Sequence, residues 1–523
     1  METGHSKPRP KFWIIAVLCS LAVAASLALG MILLAARSQT KVVAKPSDPF
    51  PLVSPEKAGF SSRKLAEGIE SLRKEEVPIH SLILMRGGKL LFEAYFEPYA
   101  ARTYHKIASV TKSFTTTLIG VAVGQGLLGL DDPILSFFPD RSVEDPDGRK
   151  ARITVRHLLT CSSGMKGDPR NDETVLAIAR KSADWVKYAL DRPMIYEPGS
   201  HFVYSGLDMH LLSAIITRVS GKSAWDYAKE FLFGPLGFGA TFWDSDPDGN
   251  SRGWGDLCLM PRDMIKLGML YRDDGVWGET RLLPEGWVAM ATKKQVATGA
   301  TRGEDYGYGF WPARESERYP YYQASGMYGQ VVRYYPAFDL LVSWTGGGVE
   351  ADQVMARIGA AIVDLEGGMR KRVKPDLAGE EILSRALALQ GAKSEPRIVP
   401  LPREASSIQG AEYLFDENPL GLEAIRFSFP SEAEAEFDYR LKGDRDYRHA
   451  RIGLDGLPRT SLSGLPLYLS GVWTAPSRLE IAWNEGPGME RLSFGVKFAE
   501  REARVAVAVP GASALVEMTG RRP

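Results

Sequence analysis

An uncharged run near the amino terminus constrains this chain more than any other feature. The run extends from Phe12 to Ala36 and contains no Asp, Glu, Lys or Arg. At about 1.5 Å per residue, a helix of that length can cross a hydrocarbon core of roughly 30 Å. A secretory signal would have a shorter apolar core and a small-residue cleavage site. The run therefore predicts an uncleaved transmembrane anchor over residues 12–36.

The residues that flank this run predict its orientation. Lys7, Arg9 and Lys11 precede it, and a short basic segment favours the cytoplasmic side of a membrane. We expect residues 1–11 to form a cytoplasmic leader and residues 37–49 a polar linker. The rest of the chain is expected outside the cytoplasm, in the periplasm or the extracellular space, as part of a single-pass membrane protein.

Charge and composition exclude several classes of protein. The chain has 523 residues, with 64 Lys and Arg against 64 Asp and Glu, and 44% of its residues are hydrophobic. This neutral, ordinary composition argues against a disordered chain and against a nucleic-acid-binding chain. Three cysteines are too few for a disulfide scaffold, and the seven histidines are scattered without metal-ligand spacing. We expect no metal, no organic cofactor and no nucleic-acid partner.

Residues 50–366 have strand patterns at both ends and helical patterns between them. A strand pair is predicted within Ile79–Tyr95, with a turn at Gly87-Gly88, and two more strands at Val331–Tyr335 and Leu340–Trp344. Helical spacing occurs in Phe60–Val77, Ser109–Val123, Ser182–Leu190, Leu207–Val219 and Pro261–Leu270. Strands from such distant segments predict one sheet with helices packed on it.

The chain changes in character past Glu366. A linker with basic residues and prolines is predicted over residues 367–402, with a short helix at Glu380–Gln390. Apolar and charged residues then alternate, for example from Ala433 to Lys442, as in a strand with one wet face. Residues 403–523 are therefore predicted to form a separate antiparallel β domain. A packing partner, a wall-binding module and a dimer contact are all open as its role.

A Ser-x-x-Lys element at Ser109 and Lys112 is the leading candidate for chemistry. The same spacing follows five other serines, which belong to linkers, to a charged helix face or to a loop: Ser38, Ser54, Ser61, Ser71 and Ser163. Ser109 opens a long apolar helix, whose first turn would hold its Oγ and the Lys112 ammonium on one face. A neighbouring base activates a serine hydroxyl for covalent acyl transfer. The alternative is a simple helix cap with a solvated lysine.

A second element, Tyr196–Gly206, brings Tyr204 to the start of another apolar helix. Pro198-Gly199 supplies a turn, and a phenol at this junction is suited to relay the Ser109 proton. Core packing is the alternative role for this tyrosine. Three signatures of other enzymes, Gly-x-Ser-x-Gly, His-Glu-x-x-His and Gly-x-x-x-x-Gly-Lys, do not occur in the sequence.

Several motifs occur in an order that resembles a known family. They are Ser109-Val110-Thr111-Lys112, Gly129–Ile134, Ile153–Thr160 with Ser162-Ser163-Gly164, Pro198-Gly199 leading to Tyr204, Pro261–Met264, Tyr306–Phe310 and Ser325–Gln330. Together they resemble the class C-type serine β-lactamases and penicillin-binding-protein-like serine hydrolases, which include esterases and aminohexanoate-oligomer hydrolases. The resemblance covers roughly residues 50 to 365.

The resemblance implies a fold and a set of roles. The fold would be the α/β (α+β) sandwich of the β-lactamases and transpeptidases, an antiparallel sheet beside a helical region with the active site between them. Ser109 would be the acylated nucleophile, Lys112 its proton partner and Tyr204 the general base. The backbone N–H groups of Ser109 and Met327 would form the oxyanion hole.

The implied substrate-binding positions Gly206, Ala324, Ser325 and Gly326 depart from the family in two places. The second motif is usually Tyr-x-Asn, but its third place here is Gly206. The third motif usually begins with Lys or His, but here it begins with Ala324. Without that cation a substrate carboxylate is recognised less well. An ester or small amide is therefore favoured over a β-lactam or a D-Ala-D-Ala peptide.

The expected function is that of a membrane-anchored serine hydrolase acting through an acyl-enzyme on a small-molecule or peptide substrate. Two alternatives stay open: a penicillin-binding peptidoglycan peptidase or β-lactamase, and a catalytically silent binding protein of the same fold. Cys161 and Cys258 fall in segments that the family places near the site. A disulfide between them and two separate buried thiols are both compatible with the sequence.

Overall fold

The computed structural model describes residues 50–145, 147–168, 172–298, 305–351, 353–359, 373–390, 397–462, 466–485, 492–508 and 515–523. The expected leader 1–11, anchor 12–36 and linker 37–49 lie outside the described residues. Within the described ranges, no helix combines the length and the apolar character needed to cross a membrane. A sheet with helices and a C-terminal β-barrel make up the described chain.

An antiparallel sheet forms the framework of the first domain. The strands of this domain are β1 (Ile79–Arg86), β2 (Lys89–Tyr95), β3 (His105–Lys106), β4 (Phe242–Trp243), β5 (Leu257–Leu259), β6 (Val276–Trp277), β7 (Thr280–Arg281), β8 (Trp311–Pro312), β9 (Tyr322–Gly326), β10 (Gln330–Tyr335) and β11 (Leu340–Gly346). The order in the main sheet is β2-β1-β11-β10-β9-β8, with Ile83 opposite Ser343. The predicted union of distant segments in one sheet is confirmed.

The predicted hairpin at the start of this sheet is also confirmed. Strands β1 and β2 are joined at Gly87 and Gly88, whose φ angles are 57° and 69°. Glycine adopts this left-handed conformation without a steric penalty, and tight turns of this kind fit the twist of a hairpin.

Helices surround the sheet and fill the space beside it. They are α1 (Ser62–Lys74), α2 (Val110–Gly124), α3 (Val155–Leu159), α4 (Asp172–Ala179), α5 (Trp185–Asp191), α6 (Gly206–Ser220), α7 (Ala224–Ala228), α8 (Pro261–Arg272), α9 (Trp287–Thr292), α10 (Leu377–Gln390) and α11 (Arg403–Ile408). The five helices predicted before residue 300 are present, with ends that differ by a few residues. Helices α3, α4, α7 and α9 were not predicted because each is too short for a clear helical period.

Helix α2 lies in the core of the first domain. It contacts both α6 and the strand β9, and its residues are buried from Val110 to Ala122. The packing is close: a Cβ at Gly120 would lie 2.5 Å from the Trp287 ring. Because α2 is enclosed on its sides, its first turn is held at a fixed distance from the edge of the sheet.

Helices α1 and α10 cover the other face of the sheet. Leu65, Ile69 and Leu72 of α1 are fully buried, as the amphipathic pattern predicts. An ion pair between Arg63 and Asp376 (2.7 Å) links α1 to the segment that leads into α10. The short helix predicted at 380–390 therefore begins earlier and packs on the first domain.

The C-terminal strands form a closed β-barrel. They are β12 (Glu412–Phe415), β13 (Leu422–Ser431), β14 (Glu434–Leu441), β15 (Arg448–Gly453), β16 (Arg459–Ser461), β17 (Leu467–Ala475), β18 (Arg478–Glu485), β19 (Leu492–Phe498), β20 (Glu502–Ala508) and β21 (Val516–Arg521). Their order is β15-β14-β13-β12-β21-β20-β19-β18-β17-β16. A parallel pairing of β15 with β17, at Ile452 and Leu469, closes the ring. The predicted C-terminal β domain is confirmed, and the closure of its strands into a barrel was not predicted.

A hydrogen bond joins the barrel to the first domain. The backbone N–H of Tyr104 donates to the hydroxyl of Tyr468 on β17, at 2.7 Å. Tyr104 directly precedes β3, which leads within a few residues to Ser109. The barrel therefore contacts the segment that enters the candidate site.

Candidate active site

Ser109 lies at the first turn of α2 but does not cap it. The backbone enters through Ala108, which has a φ of +45°, and the Ser109 side chain makes no capping hydrogen bond. Its Oγ instead accepts a hydrogen bond from Lys112 Nζ at 2.9 Å. At Ser61, by contrast, the Oγ caps α1 by accepting the N–H of Lys64. The same Ser-x-x-Lys spacing thus has two different structures in one chain.

Lys112 is a buried side chain whose Nζ is held from several sides. The residue is 3% exposed. Besides the bond to Ser109, Nζ donates to the backbone carbonyl of Trp254 at 3.1 Å. It also lies 4.7 Å from the centroid of the Tyr204 ring, within cation–π range. These contacts fix the amine against Ser109, and they differ from the solvated lysine of the alternative interpretation.

Hydroxyl side chains on α2 anchor the loops around the site. Ser113 donates to the carbonyl of Gly309, Thr116 to that of Tyr308, and Thr115 to that of Gly253. Gly253 directly precedes Trp254. The buried hydroxyls therefore satisfy loop carbonyls that would otherwise be unpaired, and they set the position of the Lys112 acceptor.

Tyr204 is positioned by the start of α6 and by aromatic packing. Ser205 caps α6 and accepts the N–H of Asp208, and its Oγ also accepts from Arg192 at 3.1 Å. Arg192 and Asp208 form a buried ion pair at 2.7 Å. The Tyr204 ring packs beside Trp311 with centroids 5.6 Å apart. Backbone and ring are thus both constrained next to Lys112.

The end of β9 meets the first turn of α2. A Cβ at Gly326 would lie 2.8 Å from Ser109 N and 2.7 Å from the carbonyl oxygen of Ile107. Met327 follows at the turn into β10, and the next residue, Tyr328, has a φ of +62°. Strained residues are therefore adjacent to both Ser109 and Met327, the two residues whose N–H groups are expected to form the oxyanion hole.

The two departures from the family pattern have structural counterparts. Ala324 is fully buried in the core cluster that includes α2, so the third motif presents a methyl group where a cation is usual. Beside Gly206, the carboxylate of Asp172 accepts the Gly206 N–H at 2.8 Å. Burial raises the pKa of Asp172, although the charge of Lys112 and the Gly206 N–H act in the opposite direction.

Two site groups were not predicted from the sequence. The acceptor for Lys112 is the backbone carbonyl of Trp254, and a carbonyl has no residue-type signal. Asp172 opens a short helix, and an acid there is common at any helix start. A signal for Asp172 would have required knowing that α4 and α6 are in contact.

The cysteines and histidines near the site have structural environments. Cys161 and Cys258 are both buried and no disulfide joins them, and burial raises the pKa of Cys161 to about 12. His157 takes part in a capping box with Thr154, and His201 stacks on Tyr196 at 4.0 Å. In the described ranges, no group of three or more His, Cys, Asp or Glu side chains is arranged to hold a metal ion.

Known proteins share the sequence pattern of the first domain. The family profile described as "Beta-lactamase" matches residues 67–363. The protein named "Putative D-alanyl-D-alanine carboxypeptidase" of Escherichia coli (strain K12) is 27% identical over 213 residues, 36% of this chain and 49% of that protein. "Protein flp" of Staphylococcus aureus (strain COL) is 25% identical over 173 residues, 32% of this chain and 34% of that protein. The chain thus spans about half or less of the length of these relatives.

A solved structure shares the fold. It is "Putative 6-aminohexanoate-dimer hydrolase from Bacillus anthracis", with a TM-score of 0.51 and 17% sequence identity, over 62% of this chain and 88% of that chain. The likeness at this identity concerns the fold alone. The profile match, in contrast, covers more than half of the 523 residues and includes Ser109, Lys112 and Tyr204. The chain therefore belongs to the Beta-lactamase family of serine hydrolases.

Proposed function

We propose that this protein hydrolyses an ester or a small amide through an acyl-enzyme on Ser109. One observation carries the proposal: the Ser109 Oγ is 2.9 Å from a buried Lys112 amine and is not used to cap its helix. Nucleophilic serine catalysis requires a neighbouring group that takes up the hydroxyl proton, and a buried amine within hydrogen-bond distance can take part in that transfer. A serine whose role is only to cap a helix has its Oγ on a backbone N–H, as at Ser61.

In the acylation step, Ser109 Oγ attacks the substrate carbonyl carbon. The hydroxyl proton passes to the Lys112–Tyr204 pair, with Tyr204 as the general base and Lys112 as its proton partner. The carbonyl oxygen gains the negative charge, and the N–H groups of Ser109 and Met327 stabilise it. The tetrahedral intermediate then collapses, and the departing alcohol or amine takes up the proton.

In the deacylation step, water attacks the acyl carbon. Tyr204 accepts a proton from that water, the acyl–Oγ bond breaks, and Ser109 recovers its hydrogen. The products are a carboxylic acid and the free enzyme. Each step uses groups of the chain and water, with no group added from outside.

The substrate class follows from the charges beside Ser109. Because Ala324 replaces the usual cation, the site has less attraction for a substrate carboxylate. Esters and small amides without that carboxylate are therefore the favoured substrates. A D-alanyl-D-alanine peptide is the second candidate, because the relative from E. coli bears the name of such a carboxypeptidase.

The place of action follows from the apolar run at residues 12–36. A helix there would anchor the protein in a membrane, and the basic leader would keep the amino terminus in the cytoplasm. The hydrolase domain and the barrel would then act outside the cytoplasm. Protease accessibility of the barrel in intact cells, compared with lysed cells, tests this arrangement.

Two active-site labels separate the candidate functions. The full chain is incubated with a fluorescent fluorophosphonate or with a fluorescent penicillin, and Ser109→Ala is compared with Ser71→Ala. Ser71 has the same spacing to a lysine but lies on an exposed helix face, where its hydroxyl bonds Glu75. It is therefore a matched control for loss of a Ser-x-x-Lys hydroxyl.

The esterase proposal predicts fluorophosphonate labelling that is lost in Ser109→Ala and kept in Ser71→Ala. Penicillin labelling that is lost in Ser109→Ala and kept in Ser71→Ala would favour the peptidase. A folded wild-type chain that takes up neither label and hydrolyses no p-nitrophenyl ester would contradict both and would favour a silent binding protein.

A further inference from the structure

The space beside Gly206 is filled by helix α4. A Cβ at position 206 would lie 2.9 Å from Asp172 Oδ2 and 3.0 Å and 3.1 Å from the two methyl carbons of Leu176. A side chain at 206 therefore cannot extend into this space unless α4 side chains move. The second motif thus lacks its usual amide, and side chains of α4 fill the space beside the Gly206 Cα.

Asp172 is tied to the residue that follows the Tyr204 loop. Its Oδ2 accepts the N–H of Gly206, the first residue of α6, at 2.8 Å. The first N–H groups of a helix have no partner within the helix, and a carboxylate is a favourable acceptor for them. This bond connects the start of α4 to the backbone two residues after Tyr204.

Asp172 also carries a charge opposite to that of Lys112. Burial raises the pKa of Asp172, whereas the charges of Lys112 and Arg192 lower it and that of Glu173 raises it. Lys112 comes from α2, Arg192 follows α5, and Glu173 belongs to α4 itself. The Cys161 thiol, also near Lys112, has its pKa raised to about 12 by burial and is uncharged at neutral pH.

We propose that Asp172 is a positioning residue that replaces the amide of the second motif. It holds the backbone behind Tyr204 through Gly206, and its carboxylate is the counter-charge to the Lys112 ammonium. This inference rests on the proposed acyl-enzyme function. It predicts that a negative charge influences proton transfer at this site, whereas relatives with Tyr-x-Asn have a neutral amide there.

Two substitutions separate the charge of Asp172 from its hydrogen bond. Asp172→Asn keeps an acceptor oxygen for the Gly206 N–H and removes the charge. Asp172→Ala removes both. Glu173→Gln is the matched control, because it removes one negative charge from the next residue, whose carboxylate is exposed and paired with Arg180.

The measurement is kcat/KM for p-nitrophenyl butyrate from pH 5 to pH 9, with circular dichroism to verify folding. The acid limb of this profile reports the ionisation of the groups that transfer protons. Loss of a neighbouring negative charge makes loss of a proton easier, so we expect Asp172→Asn to shift the limb by about one unit to lower pH. Glu173→Gln is expected to leave it in place. Asp172→Ala is expected to lower the plateau value of kcat/KM about tenfold. Asp172→Asn is expected to keep most of the wild-type plateau value, because it retains the acceptor oxygen.

An acid limb in Asp172→Asn that coincides with that of Glu173→Gln would overturn the inference. A folded Asp172→Ala variant with a plateau within about twofold of wild type would also overturn it. If Asp172→Ala does not fold, the limb of the isosteric Asp172→Asn variant decides alone. Failure of the function itself looks different: Ser109→Ala would then keep wild-type hydrolysis.

Discussion

Gly326 lies against the backbone of Ser109 so closely that a Cβ on residue 326 would be 2.8 Å from Ser109 N. This contact brings the end of strand β9, one residue before Met327, to the first turn of α2. The contact joins a sheet strand and a core helix that are distant in the chain. It explains why a glycine is required at this position.

Gly326→Ala is expected to separate β9 from Ser109 and to disturb the proposed oxyanion hole. The loss of an oxyanion donor costs about 10²- to 10³-fold in kcat, so a decrease of that size is predicted for p-nitrophenyl butyrate. Gly255→Ala is the control, because a Cβ there has no atom within 4 Å. A wild-type kcat in Gly326→Ala would show that catalysis does not require the close contact between Gly326 and Ser109.

Tyr204→Phe is expected to lower turnover and to leave the fold intact. The ring keeps its packing against Trp311, whereas the hydroxyl that is proposed to move protons is removed. General base groups typically contribute about 10²- to 10⁴-fold, and kcat is predicted to fall within that range. Near-normal kcat, together with an unchanged thermal midpoint, would assign Tyr204 to packing.

Arg192→Met is expected to lower the free energy of unfolding, because Arg192 forms a buried ion pair next to the Tyr204 loop. The substitution leaves Asp208 buried without its cation, which costs about 3–5 kcal/mol for a buried pair. Urea unfolding measures this cost. Asp140→Asn is the control, because the Asp140–Arg218 pair is exposed and its loss should barely move the midpoint. Equal midpoints for the two variants would contradict the assigned role of the buried pair.

His105 is expected to make the fold sensitive to acid. Burial lowers its pKa from 6.5 to about 4. The unfolded chain therefore takes up a proton first as the pH falls below about 6.5, and stability is lost progressively until about pH 4. The total is roughly 3 kcal/mol for a shift of this size.

His105→Gln should remove this part of the pH dependence of urea unfolding, since an amide does not titrate in that range. His201→Gln, at an exposed histidine stacked on Tyr196, should leave the pH dependence as in wild type. A wild-type slope in His105→Gln would refute the assignment.

Much of the framework could be predicted because its signals are local. Gly87 and Gly88 mark a hairpin, alternation from Ala433 to Lys442 marks strand β14, and a long apolar helix after Ser109 distinguishes one Ser-x-x-Lys from five others. Each of these features depends on neighbours in the sequence. The structure has the hairpin and both elements at nearly the predicted bounds.

Other features could not be predicted because they depend on contacts between distant segments. The barrel closes through Ile452 and Leu469, which pair in parallel across an intervening strand. Asp172 reaches Gly206 only because α4 and α6 are in contact, and Lys112 bonds a backbone carbonyl at Trp254. The residue types at these positions do not indicate which distant segment they contact.

The identity of the acylated residue tests the proposed function most directly. The wild-type chain is mixed with p-nitrophenyl butyrate, quenched in acid within the first turnover and digested, and the peptides are sequenced by mass spectrometry. An acyl-enzyme mechanism at Ser109 predicts a butyryl group on that residue. Hydrolysis by the folded protein with the acyl group on another residue, or with Ser109 unmodified throughout the reaction, would contradict it.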